Sequence, residues 1–149
     1  MKLPGGRLTP QRLLWVGVAL WLASLLTPDS RGHTVGAAWL AYAPAYGARL
    51  LVRGLGPEGS WSNVLTGAAL LAGFAANLAV LVPLGIAGRL TCLALPWLPY
   101  LAYWALWHSG QVARAASPAT LLYFYPWALG LTLIQTAQLW RLGRARPGA

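Results

Sequence analysis

Carboxylates are almost missing from this chain. Its 149 residues hold two, Asp29 and Glu58. Neither lies in a long apolar run, which disfavours a proton-driven transporter, because such relays use carboxylates or histidines inside their spans. One cysteine, Cys92, excludes an intramolecular disulfide and a four-cysteine metal site. Charge of either sign is scarce: 9% of residues are charged, against about 25% in an average soluble domain. GxGxxG, P-loop, CxxC and HExxH patterns are absent. There is no internal repeat and no separate soluble domain.

What is there is apolar and basic. Hydrophobic residues make up 58% of the chain, and the formal net charge is +9. Such a chain lacks the polar residues to cover a water-facing globule of its size, so lipid is the expected solvent. The basic residues fall between apolar runs, which points away from nucleic acid as a partner. The expected fold is all-α: a single polytopic transmembrane helix bundle over residues 1–149.

A bilayer core needs about 20 apolar residues per helix. Charge-free runs extend from Gly59 to Gly88, from Leu90 to Ala113 and from Ala115 to Trp140. They predict spans over 62–87, 90–109 and 118–140. A shorter run, LLWVGVALWLASLL, covers Leu13 to Leu26, about 21 Å of helix. With Arg12 snorkelling at one end, it predicts a first span over 12–27. Its positive flank also fits a signal peptide, but no Ala-x-Ala type cleavage site follows Leu26. Residues 35–52 carry Trp39, Tyr42, Tyr46 and Arg49 on one helical stripe that continues to Arg53. Aromatic and arginine side chains suit a headgroup layer, so an interfacial or re-entrant helix is expected there. The tail 142–149 is expected to be disordered.

Arginine placement orients the spans. With four spans, Lys2, Arg7, Arg12, Arg89, Arg141, Arg144 and Arg146 fall inside. Arg31, Arg49, Arg53 and Arg114 then fall outside. Five spans would push Arg141, Arg144 and Arg146 outside. Four spans, with both termini cytoplasmic, fit better. Ser117-Pro118 reads as the N-cap and first residue of the last helix. Pro96, Pro99 and Pro126 should bend the third and fourth spans.

Few residues offer chemistry. The two carboxylates flank the 35–52 segment and read as loop charges. His33 follows the first span and His108 ends the third, both on the outer side. Two such imidazoles can ligate haem or a metal, but neither has a supporting ligand nearby. Cys92 lies at the inner end of the third span with no base on its side, and a structural thiol is the expectation. Ser24, Ser60 and Ser62 lack a His–carboxylate pair.

The polar residues inside spans are more informative. Asn77 follows Ser62 by 15 residues, and Gln135 follows Thr120 by 15. At 1.5 Å per residue both lie about 22 Å deep on helices entering from the same side. Tyr100 and Ser24 fall near that level. Amides in spans commonly bond across helices and hold bundles together. The alternative is a polar pocket at Asn77, Tyr100 and Gln135, with Thr132 and Thr136 beside it, for a quinone, lipid or pigment. Ala68, Ala72 and Ala76, with Ala69 and Gly73, form a small-residue pattern that favours close helix packing. Of the nine tryptophans, Trp15 and Trp140 fall near the inner interface. Trp61, Trp104 and Trp107 fall near the outer one, as in an aromatic belt. Trp97 and Trp127, with Tyr100, Tyr103, Tyr123 and Tyr125, carry aromatic character into the spans.

The stretch from Arg53 to Leu142 contains RGLGPEGSWSN, GFAANLAVLVPLGIAGR and YFYPWALGLTLI in order. In this it resembles a group of uncharacterised small bacterial four-span membrane proteins. The resemblance implies a four-span topology with a long outer first loop, and no activity or site residue. The expected function is that of a non-catalytic accessory or structural subunit of a larger assembly in a bacterial cytoplasmic membrane. Its expected partners are lipid and other membrane subunits, and no cofactor is specified. A carrier for a small apolar or amphipathic molecule, and a haem or metal electron-transfer protein using His33 and His108, are the other readings.

Overall fold

The computed structural model of the chain describes residues 8–28, 41–110 and 119–145. Among them the fold is all-α, with no strand element. Helix α1 spans Pro10–Leu26, α2 Ala43–Leu55, α3 Trp61–Leu78, α4 Ile86–Ala94, α5 Leu98–His108 and α6 Ala119–Arg144. A 3₁₀ turn, Leu95–Trp97, joins α4 to α5.

Local chemistry sets these ends. Thr9 caps α1 by accepting from the Arg12 N–H at 3.2 Å, and Pro10 takes the first helical position. Thr27 turns extended just before Pro28, as a residue preceding proline prefers. Ser60 caps α3 by accepting from the Asn63 N–H at 3.3 Å. Proline lacks an amide hydrogen and crowds the preceding turn. Pro96 therefore interrupts the third expected span with the 3₁₀ turn, and Pro99 starts α5. Pro126 is accommodated inside α6, which stays continuous.

Five of the expected boundaries change. The helix expected over 35–52 runs from Ala43 to Leu55, and residues 35–40 lie outside the described residues. The run 62–87 is helical only to Leu78 and then turns through residues 79–85. The run 90–109 is two short helices rather than one. The first span begins at Pro10, and α6 continues to Arg144, so residues 142–144 are helical rather than part of a disordered tail. Among the described residues no helix is long and apolar enough to cross a membrane. The physical reasons are the interruptions at 79–85 and 95–97 and the amides and hydroxyls that the longer helices carry. Ser117-Pro118, Trp39 and residues 146–149 lie outside the described residues.

Glycines set the closest helix contacts. A Cβ on Gly17 would lie 2.9 Å from both the Gly130 carbonyl oxygen and the Ile134 nitrogen. One on Gly130 would lie 2.7 Å from the Trp21 nitrogen. The backbones of α1 and α6 therefore touch. Partner numbers change in opposite senses, so the two helices are antiparallel, and Gln11 accordingly accepts from Arg141 at the far end. The same device joins α2 to α3. A Cβ on Gly67 would lie 2.7 Å from the Gly47 oxygen, and one on Gly54 would lie 2.7 Å from Val64. Helix α2 thus runs antiparallel along α3 rather than across its end.

The remaining order follows from side-chain contacts. Arg89 reaches Gln135 while Trp97 reaches Thr132 and Tyr125, so α4 and α5 run antiparallel to α6. Ala76 packs near Leu95 and Trp97, while Leu65 and Ala69 border Leu101 and Ala105, so α3 also runs antiparallel to α4–α5. Helices α1, α3, α4–α5 and α6 alternate in direction, and α2 points the same way as α1. The core lies where α1, α3, α4–α5 and α6 meet. Ala76, Trp127, Ala128 and Leu131 are buried there, with Trp21, Val80, Leu95, Trp97 and Tyr100 packed around them.

Candidate functional site

The interior of the bundle is polar along one face of α6. Trp127, Thr132 and Gln135 each make a hydrogen bond to another helix or to the turn after α3. They cover about 12 Å of helix.

The first knot is Asn77. Its Oδ1 accepts from the indole Nε1 of Trp21 at 2.8 Å and from that of Trp127 at 3.1 Å. Its Nδ2 donates to the Gly73 carbonyl oxygen at 2.9 Å. One amide thereby ties α1, α3 and α6 together. Asn77 is buried and Trp127 is wholly enclosed, so both lone pairs of the amide oxygen are spent on the fold. Ser24, also buried, donates back to the Trp21 carbonyl at 2.7 Å. In the middle of α6, Thr132 accepts from Trp97 Nε1 at 3.0 Å while donating to the Ala128 carbonyl at 2.8 Å.

The second knot is Gln135 with Arg89. The Arg89 Nη1 donates to Gln135 Oε1 at 2.9 Å, and Gln135 Nε2 donates to the Ala79 carbonyl at 3.4 Å. Only this orientation of the amide gives the guanidinium an acceptor. Arg89 is 7% exposed and Gln135 1%. The Arg89 Nε is fully enclosed without a hydrogen-bond partner. A buried cation commonly has an anionic partner; here the partner is a neutral amide.

The amides that the sequence groups by depth take different partners. Asn77 and Gln135 do not bond each other, and each bonds across helices to a different set. Tyr100 lies beside the first knot, its ring 5.6 Å from that of Trp97. Trp97 in turn meets Tyr125 edge-on at 6.0 Å, and Tyr103 stacks on Trp107 at 6.2 Å. Thr136 is exposed and donates to the Thr132 carbonyl. His108 is exposed at the end of α5, with Nδ1 3.0 Å from the Trp104 carbonyl and its ring 4.4 Å from that of Trp104. His33 and Asp29 lie outside the described residues. Among the described residues no cluster of three or more His, Cys, Asp or Glu could hold a metal. Cys92 is a buried free thiol.

Arg89 is the residue that sequence reasoning missed. It reads as a loop charge because it separates two apolar runs. A signal was available: α4 places Arg89 and Cys92 three residues apart on one face, and both are buried. No protein-family model matches the chain, and no curated protein or solved structure matches it either.

Proposed function

We propose that this chain is a multi-pass helix bundle of a bacterial cytoplasmic membrane, acting as a non-catalytic accessory or structural subunit of a larger assembly. The observation that carries the reading is a set of polar side chains in the interior beside large apolar side chains on the surface. Asn77, Arg89, Gln135 and Ser24 are buried, whereas Val16, Leu22, Leu26, Leu81, Leu98, Leu101 and Trp104 are exposed. Water favours the opposite arrangement. In lipid, polar side chains turn to the bundle interior and bond across helices.

Sidedness also bears on helix length. Three of the groups that lower the apolarity of α3 and α6, namely Asn77, Thr132 and Gln135, are spent inside the bundle. Helix α3, at 18 residues, is about 27 Å long, close to the thickness of a hydrocarbon core. Aromatic side chains mark both ends. Trp15 and Trp140 flank the end where Gln11 meets Arg141, and Trp61, Trp104 and Trp107 lie toward the other. The accessory role rests on what the polar residues do: Asn77, Thr132 and Trp97 are committed to holding helices together.

Alkaline carbonate extraction of native membranes, followed by native-gel mass analysis of the mildly solubilised protein, tests the reading. The chain should stay in the pellet and migrate with larger membrane proteins. Release by carbonate would overturn the membrane placement. A lone small band carrying a bound molecule would overturn the accessory role in favour of a carrier.

A further inference from the structure

We propose that Arg89, steadied by Gln135, binds a phosphate oxyanion, supplied by an anionic lipid headgroup or by free phosphate. The lipid source rests on the membrane reading above; the phosphate site itself does not.

Among the described residues the charge of Arg89 has no anionic partner. A guanidinium carries five N–H donors. The described residues take one of them, through Gln135 Oε1, and Nε is enclosed without a partner. A desolvated cation held only by a neutral amide is strongly unfavourable unless an anion joins it. The chain has few anions to offer. Glu58 lies in the connection before α3, at the end opposite Ala79, about 27 Å away along that helix. Asp29 lies outside the described residues. Among the described residues no carboxylate lies near Arg89, and an external anion can supply the missing charge.

The surroundings suit an oxyanion. Arg89 lies in the first turns of α4, where backbone N–H groups and the helix dipole favour negative charge. A Cβ placed on Gly85, the N-cap, would meet nothing within 4 Å, so the backbone of this turn is open to approach. The same end of the bundle carries exposed Arg12, Arg141 and Arg144, with the Arg144 guanidinium carbon 5.0 Å above the Trp140 ring. Three exposed arginines and a tryptophan, with no acid among the described residues at this end, complement an anionic headgroup layer. A planar guanidinium is the donor best matched to phosphate. Gln135, anchored to the Ala79 carbonyl, holds it in place without neutralising it.

The full-length protein in detergent tests this. Binding is read by native mass spectrometry, and stability by thermal melting, with phosphatidylglycerol, phosphatidylcholine and inorganic phosphate as separate probes. Wild type should bind phosphatidylglycerol and melt higher with it than with phosphatidylcholine. Gln135→Glu places a carboxylate against Arg89 and supplies the charge internally. That variant should fold at least as stably as wild type while binding phosphatidylglycerol roughly tenfold or more weakly. Arg53→Gln, at the other end of the bundle, should bind as wild type does. A matching response to inorganic phosphate identifies free phosphate as the source and supports the site. Equal responses of wild type and Gln135→Glu, or no preference of wild type for either phosphate probe over phosphatidylcholine, overturn the proposal. Carbonate release with phosphate binding intact would sink the membrane reading alone. Carbonate retention without any anion preference would sink this inference alone.

Discussion

The indole nitrogen of Trp127 lies 3.1 Å from the amide oxygen of Asn77, and both residues are buried. The same oxygen also accepts from Trp21. Because one amide serves two indoles on different helices, its removal strands two donors at once. Asn77→Leu should therefore cost about 1–3 kcal/mol, read as a lower melting temperature in detergent. An unchanged melting curve would show that the indoles find other acceptors and that the knot is dispensable.

Steric contacts between glycine backbones make a sharper test of the packing. Gly130→Ala puts a methyl 2.7 Å from the Trp21 backbone nitrogen, where nothing flexible can yield. Overpacking of this kind costs about 1–3 kcal/mol. Gly85→Ala adds the same methyl in open space and should leave melting nearly unchanged. Comparable losses in both variants would argue against close α1–α6 contact.

These two features differ in how far the sequence foretold them. All-helical content followed from the charge-free runs, and the break in the third run fell at Pro96, where proline chemistry predicted a disturbance. Asn77 and Gln135 stood out as amides among apolar residues. Their partners did not, because a depth estimate says how far along a helix a residue lies but not which way it faces. Trp127 therefore reads only as an aromatic within a span and nothing singles out Trp21, although each has an N–H to satisfy. The glycine contacts were hidden for a related reason. The alanine pattern of α3 drew attention, while the tightest approaches use single glycines, Gly17 with Gly130 and Gly47 with Gly67, which no periodicity announces. Arg89 was misread because a charge between two apolar runs usually marks a loop.

Gln135→Leu should be more damaging than the loss of a neutral hydrogen bond, because the stranded partner is a cation. Gln135 accepts from Arg89 and donates to Ala79, so the substitution leaves the guanidinium without an acceptor among the described residues. A hydrogen bond to a charged group contributes about 1.5–3 kcal/mol, and the loss should be of that order. Thr132→Val, which deprives Trp97 of its acceptor while keeping the shape, should cost only about 0.5–1.5 kcal/mol. Thermal melting of the two variants side by side checks the ranking, and a reversed order would mean that Arg89 is compensated by something other than Gln135.

Helix direction yields the last prediction. If crossings alternate, an odd number leaves the first and last helices parallel and an even number leaves them antiparallel. Gly17 faces Gly130 and Ile134, Trp21 faces Gly130, and Gln11 bonds Arg141, so α1 and α6 are antiparallel. Helix α2 points the same way as α1 and falls outside the alternation. Under the membrane reading this gives an even number of crossings, with both termini on one side. The basic residues Arg12, Arg141 and Arg144 cluster at that end, which the positive-inside preference places in the cytoplasm. Reporter fusions that are active on only one side of the membrane, placed at Met1 and at Ala149, should both report the cytoplasm. Termini on opposite sides would require α2 to count as a fifth crossing, and would contradict the antiparallel pairing of α1 with α6.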